Sequence, residues 1–266
     1  QIYGSLRPAG CRSRPAESRS VVNGARTRAV LLLALAAAAM SVDVKRELRA
    51  RVRSRLKGLA AAEVAAQSAA VLSRLVALPE WRGATAVACY AALGHELQTR
   101  AVLDAAFIGK KRVFMPRVES VKARSMVLVE AFSVADVDSW SLSKYGIPEP
   151  PRDARADALD ADVGLVVVPG LAFDRNCKRL GQGAGFYDAW LASLAEAHAA
   201  RGLPRPLLVG VALSAQILPL KDSRESDTSE AVDFLESVPT ELHDFVLDVV
   251  LSPDGAFHRR GTDEPR

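Results

Sequence analysis

Apolar positions in this chain alternate between short unbroken runs and longer stretches with helical spacing. The runs "ATAVACYAAL" (84–93), "KKRVFMPRV" (110–118), "SMVLVEAF" (125–132), "GLVVVPG" (164–170), "RPLLVGVAL" (205–213) and "VLDVVLSPDG" (246–255) have strand length. Most are rich in Val and Leu and are stopped by Gly, Pro or Asp, as strands buried on both faces are. "GLVVVPG" is the plainest, a β-branched run closed by Pro169 and Gly170, while the second run is expected to end at Pro116. Residues 43–78 read as helix interrupted near Gly58, residues 94–109 as a turn and helix, and residues 186–202 as a helix stopped around Gly202. Strand, helix and strand in alternation predict crossover units, hence an α/β domain whose parallel sheet is covered by helices on both faces. That domain spans 41–258. Within it, residues 141–162 are too rich in Pro, Gly and charge to be regular throughout, and the part around Tyr145 to Pro151 reads as a long functional loop. Residues 259–266 read as a flexible tail.

Composition adds little to this picture: 49% hydrophobic and 25% charged over 266 residues suffices for one sizeable core. Charge adds more. The formal net charge is +4, yet residues 1–40 hold six arginines and one acid, so the domain itself is near neutral. Without a basic stripe interleaved with aromatics, no nucleic-acid partner is expected. The arginine-rich leader precedes "AVLLLALAAAAM" (29–40), well short of the roughly 20 residues a bilayer span needs. It reads as a mitochondrial or plastid targeting segment, a secretory signal, an interfacial anchor, or sequence translated upstream of a start at Met40; without it the protein is expected in the cytoplasm. Cys11, Cys89 and Cys177 are too few and scattered for a disulfide framework or zinc site, which favours a reducing compartment. Cys89 reads as core, Cys177 as an incidental residue of a polar turn.

The chemistry concentrates in "KRLGQGAGFYDAWL" (178–191), where Gly181, Gly183 and Gly185 alternate before a helix. The block is not a P-loop, since it lacks the spacing and the following Lys-Ser or Lys-Thr, and it fails G-x-G-x-x-G because position 186 is Phe. Two readings remain: a cradle in which backbone N–H groups and a helix N-terminus meet phosphate oxygens, or a tight turn needing only glycine's freedom. Asp188, in the first turn of the helix, either complements its dipole or holds Mg²⁺, and Asp174 is a second carboxylate able to face the same crevice. Lys45, Arg49 and Arg53 recur every four residues and share a helix face, which is solvated surface unless an anion meets it.

Together, "KRELRARVRSRL", "YAALGHELQTRAVL", "KKRVFMPRV", "YGIPEP", "VVVPGLAFDRNCKRLGQGAGFYDAWL" and "VPTELHDFVLDVVLSP" resemble the 5-formyltetrahydrofolate cyclo-ligase (5,10-methenyltetrahydrofolate synthetase) family from about Val44 to Asp254. The glycine block is the most specific part. The resemblance implies a Rossmann-like, mostly parallel sheet covered by helices on both faces. It also implies an ATP- and Mg²⁺-dependent conversion of 5-formyltetrahydrofolate, with or without a polyglutamate tail, to the 5,10-methenyl form through an iminium phosphate. On the nucleotide side it implies Lys45, Arg49 and Arg179 beside the phosphates, with Leu180, Gly181, Gln182, Gly183, Ala184, Gly185, Phe186 and Tyr187 lining the nucleotide. Asp188 and Asp174 then organise Mg²⁺, and Lys45, Arg179 and Asp188 are the catalytic candidates. On the folate side it implies Glu96 at the polar edge of the pterin, with Leu93, Phe114, Met115, Trp140, Tyr145 and Tyr187 around the ring. A monomer is expected.

Two positions depart from the family's pattern: Gln182, where an aromatic or basic residue is common, and Phe186, often Tyr. The first gives up stacking area or charge, the second a hydroxyl. Residues 221–234 read as an acidic insertion, which a surface loop tolerates. The departures keep open an alternative in which the fold binds folate or nucleotide without turnover, or acts on another substrate.

Overall fold

The computed structural model describes residues 42–94, 96–143, 146–219, 237–241 and 244–259. The chain divides into two units, Gln1–Asp43 and Val44–Arg266, and the fold below is that of the second. The leader at 1–40, His95, Tyr145, the insertion at 221–234 and the tail beyond Arg259 lie outside the described residues.

Helix α1 (Val42–Lys57) breaks around Gly58, as expected, and α2 (Ala61–Ala77) continues at an angle of 107°. There follow α3 (Pro79–Gly83), β1 (Ala86–Ala88), α4 (Arg100–Ile108), β2 (Arg112–Ser120), β3 (Ser125–Ala131), α5 (Val134–Asp138) and β4 (Leu165–Val168). The chain then forms β5 (Ala172–Phe173), β6 (Arg179–Leu180), α6 (Phe186–Ala200), β7 (Leu207–Val211), β8 (Val249–Ser252) and β9 (Gly255–His258). Seven strands make one sheet in the order β3-β2-β1-β4-β7-β8-β9, and β5 pairs with β6 apart from it. The five central strands are parallel, while β2–β3 and β8–β9 are antiparallel pairs at the two edges. No single helix among the described residues is long and apolar enough to cross a membrane.

Strand periodicity divides the core between two faces. Val87, Val113, Leu165, Val167, Val209 and Leu251 pack with α1, α2 and α4 through residues such as Leu48, Val52, Val71, Leu75 and Leu103. Their neighbours Ala86, Ala88, Phe114, Val166, Val168, Leu208 and Val250 pack on the other face with Trp190, Leu191 and Leu194 of α6. Each large apolar side chain buried this way contributes roughly 1.5–3 kcal/mol. The same alternation separates two expected ring-wall residues. Phe114 and Met115 are adjacent in β2, so they point to opposite faces and both are core.

Three expectations are corrected. β2 does not end at Pro116: its pairing with β1 stops at Phe114, so beyond that point no ladder on that side needs the N–H that Pro lacks. Cys177 is not incidental: it is fully buried with φ +62°, and its Sγ lies 3.2 Å from the Phe257 carbonyl. The tail does not begin at Arg259: its N–H donates to the Asp248 carbonyl at 2.9 Å, directly after β9, which pairs with β8.

Candidate active site

The chain goes from β1 outward to β2 and β3, then returns to place β4 on β1's other side. The carboxyl ends of β1 and β4 therefore flank a topological switch point, where open α/β sheets bind ligands. The loop after β1 supplies Leu93 and Glu96; the chain after β4 supplies the glycine block.

That block does not leave the sheet directly. The β5–β6 hairpin comes first, with Ala172 opposite Leu180 and Phe173 opposite Arg179. Asp174 builds its turn. One oxygen accepts from the N–H groups of Asn176 and Lys178 at 2.8 and 3.0 Å, and the other from Ser237 Oγ and the Val238 N–H at 2.7 and 2.9 Å. The residue is 0% exposed. With four donors on its two oxygens, Asp174 is a structural anchor, and the expectation that it holds Mg²⁺ is corrected.

Beyond β6 the glycines take conformations that explain them. Gly183 has φ +105° and Gly185, the N-cap of α6, has φ +73°, both in the region L side chains rarely adopt. Arg49 Nε donates to the Gly181 carbonyl at 2.9 Å, and a Cβ on Gly183 would lie 3.5 Å from the Arg49 guanidinium carbon. Arg53 donates to Gln182 Oε1 at 2.8 Å. Lys45, only 8% exposed, donates to Glu241 at 2.8 Å and to Asp244 at 3.3 Å. The stripe on α1 therefore runs from buried Lys45 through half-buried Arg49 to exposed Arg53, with Arg49 and Arg53 bonded to the glycine loop. Burial, reinforced by Arg53 and opposed by Asp244, lowers the pKa of Arg49.

Arg179 is buried, and its Nη2 donates to Asp188 Oδ1 at 2.6 Å. The Phe245 N–H donates to the same oxygen at 3.2 Å, so among the described residues both bonds on Asp188 fall on Oδ1. Among the described residues no group of three or more His, Cys, Asp and Glu side chains gathers as a metal cage. A single carboxylate oxygen still fits Mg²⁺, which takes one or two carboxylates together with substrate phosphates.

On the other side of the crevice, Glu96 is 9% exposed. It accepts from the Leu93 N–H at 3.0 Å and from Gln182 Nε2 at 3.4 Å. Burial raises its pKa, against the two hydrogen bonds. Tyr187 brings a buried hydroxyl without a hydrogen-bond partner among the described residues, and Arg179 Nε is in the same state. Burial first, then the nearby Cys89 and Glu96, push the phenol's pKa far up, so Tyr187 is a neutral donor. The Cys89 thiol is pushed up to about 12 by burial and is inert.

The expected residues are thus partly assembled. Arg49, Gly181 to Gly185, Glu96 and Leu93 are linked through the glycine loop, Arg179 pairs directly with Asp188, and Lys45 pairs with Glu241 and Asp244. Leu180 is buried in β6, Ala184 is exposed, and Phe186 and Tyr187 are half-buried at the start of α6. Trp140 belongs to the core, where its Nε1 donates to Asp136 and Arg155 covers its ring. Sequence reasoning placed Arg53 on the cationic face but did not single out Glu241 or Asp244. The signal was available in charge: a cationic helix face that becomes buried needs acids, and "PTELHD" supplies two.

A mostly parallel, doubly wound sheet with a glycine loop, a cationic helix face and a buried carboxylate near its switch point defines a Rossmann-like α/β protein. Comparison with known proteins is more specific. The sequence profile of the 5-formyltetrahydrofolate cyclo-ligase family matches residues 41–229. The chain is 30% identical over 213 residues to the probable 5-formyltetrahydrofolate cyclo-ligase of Schizosaccharomyces pombe, covering 79% of this chain and 95% of that one. It is 27% identical over 225 residues to the mitochondrial 5-formyltetrahydrofolate cyclo-ligase of Arabidopsis thaliana, covering 79% and 74%. The NMR structure of Aquifex aeolicus 5,10-methenyltetrahydrofolate synthetase matches with a TM-score of 0.60 and 25% identity, over 84% of this chain and 96% of that one. The chain belongs to the 5-formyltetrahydrofolate cyclo-ligase family. The family is one of ATP-dependent ligases in folate one-carbon metabolism.

Proposed function

We propose that this protein cyclises 5-formyltetrahydrofolate to 5,10-methenyltetrahydrofolate, driven by ATP and releasing ADP and phosphate. The observation that carries the reading is Gln182, which sits inside the glycine loop, accepts from Arg53 and donates to Glu96. One loop therefore touches both the cationic helix and the buried carboxylate, and a nucleotide and a pterin on its two sides would meet.

The chemical obstacle is the formyl oxygen, a poor leaving group. Transfer of the γ-phosphoryl group to that oxygen gives an iminium phosphate. N10 then attacks the formyl carbon, the carbon–oxygen bond to phosphate breaks, N10 loses its proton and the ring closes. Arg49 and Arg179 would meet the phosphates, and Lys45 would join them as the triphosphate competes with Glu241 and Asp244 for its charge. Asp188 would hold Mg²⁺, which when bound neutralises charge developing on the phosphate oxygens. Glu96 accepts from the pterin's ring N–H and amino groups, and the Tyr187 hydroxyl donates to an acceptor on the same substrate. No protein nucleophile is needed, so the catalytic gain comes from positioning and electrostatics.

The test incubates purified protein with 5-formyltetrahydrofolate, ATP and Mg²⁺, following the methenyl chromophore and ADP together. Stoichiometric appearance of both is expected. Folded protein that yields neither would falsify the proposal, and tight binding of both substrates without product would establish the non-catalytic alternative.

A further inference from the structure

We propose that Arg124, at the tip of the β2–β3 hairpin, is a further phosphate-gripping residue beside the glycine loop. The inference rests on the ATP reading above and adds a residue from an element outside the glycine block and α1.

The hairpin tip is a built feature. A register shift between Val118 and Ser120 bends the ladder just before the turn. The turn itself is held by the Ala123 N–H donating to Ser120 Oγ at 3.1 Å and the Arg124 N–H donating to the Val121 carbonyl at 3.3 Å. Met126 and Leu128 of β3 share a core cluster with Trp190 and Leu191 of α6, which fixes the hairpin against that helix. The tip consequently lies at the start of α6: a Cβ on Gly185 would sit 3.9 Å from both Cδ and Nη1 of Arg124.

Arg124 has φ +50°, a left-handed conformation unfavourable for a residue with a Cβ. Such outliers gather at ligand clamps, where the surrounding structure over-determines them. Its guanidinium also differs from the other cations of the crevice. Lys45 is paired with Glu241 and Asp244, Arg49 with Gly181, Arg53 with Gln182 and Arg179 with Asp188. The hairpin's own acid, Glu119, already accepts from Arg117 and Arg152. Among the described residues, no side-chain hydrogen bond or ion pair falls to Arg124. An arginine strained into place, unpaired, and resting on the N-cap of a 15-residue helix is suited to a polyphosphate that the N-terminus already attracts.

The test compares Arg124→Gly, Arg124→Gln and Arg124→Lys with wild type, using ATP titration and steady-state kinetics. Lys122→Ala, an exposed cation of the same turn, is the control. Arg124→Gly relieves the left-handed backbone while removing the charge, so its thermal midpoint should hold or rise while KM for ATP rises about ten-fold and KM for 5-formyltetrahydrofolate moves less than about two-fold. Arg124→Gln should match that loss, Arg124→Lys should recover part of it, and the difference should shrink at high salt. If Arg124→Gly and Arg124→Gln both keep KM for ATP within about two-fold of wild type, the proposal is overturned and the ATP reading stands. A folded wild-type protein that binds no ATP overturns both.

Discussion

Asp174 and Asp188 stand at the two ends of one short stretch of chain, and the contrast between them explains how this fold separates scaffold from chemistry. Asp174 closes the β5–β6 turn, wholly buried, with four donors from two chain segments on its oxygens. Asp188 opens α6, half-buried, and among the described residues both of its bonds fall on one oxygen. The residue type is the same and so is the hydrophobic neighbourhood in the sequence. What differs is how many lone pairs the protein has already claimed, and that decides which carboxylate can serve a ligand.

The largest expected effect tests the scaffold side. Asp174→Asn keeps the shape but replaces one acceptor oxygen with a donor facing Ser237 Oγ and the Val238 N–H, or the two N–H groups of the turn. Loss of roughly 3–4 kcal/mol in urea unfolding is expected, since buried donors are left unsatisfied. Turnover per folded molecule should change little. If activity vanished while stability held, Asp174 would belong to the chemistry and the contrast would fail.

Asp188→Asn should do the reverse. The amide oxygen can still accept from Arg179 and Phe245, so unfolding free energy should move by less than about 1 kcal/mol. Removal of the charge should lower kcat/KM about 100-fold, near 2.7 kcal/mol of transition-state stabilisation. Comparable losses of stability in both variants would mean the two carboxylates differ in burial and not in role.

The same distinction governs what the sequence made legible. The central strands were plain because strands buried on both faces must be apolar at every position, as "GLVVVPG" is. The break at Gly58 and the stop near Gly202 were plain because Gly punctuates helices locally. The β5–β6 hairpin was not: its strands are two residues each, too short for any periodicity. β9 is four residues with alternating partial exposure, and it reads as turn until its pairing with β8 is known. In the site, the shared face of Lys45, Arg49 and Arg53 followed from helical spacing, but its partners did not. Glu241 lies 196 positions from Lys45, and only the folded chain brings the pair together. Phe114 and Met115 could not both face one ring, a consequence of strand alternation once β2 was placed.

A glycine pair sharpens the comparison inside the loop that joins the two carboxylates. Gly183→Ala forces a side chain onto φ +105°, with its Cβ 3.5 Å from the Arg49 guanidinium carbon. The strain should cost about 1–2 kcal/mol and raise KM for ATP. Gly181→Ala meets only the end of the Arg179 side chain at 3.2 Å and has no positive φ. It should cost less than about 1 kcal/mol. Equal effects would show that the loop needs small residues and not a left-handed backbone.

The smallest expected effect on stability is the most diagnostic in sign. Burial raises the pKa of Glu96 in the folded protein, so folding takes up a proton there. That contribution to stability is fully present below the unfolded value of about 4.3 and is lost as pH rises through the folded pKa. At pH 7 the buried carboxylate is therefore a destabilising charge. Glu96→Gln should raise the thermal midpoint at pH 7, with the gain fading as pH falls through the carboxylate range. The same change puts a donor where the pterin's donors arrive, so folate affinity should fall. Gain in stability with loss of binding is what a residue kept for its ligand produces. A lowered midpoint at pH 7 would instead mean that its bonds to Leu93 and Gln182 outweigh the burial of charge, making Glu96, like Asp174, a structural acid.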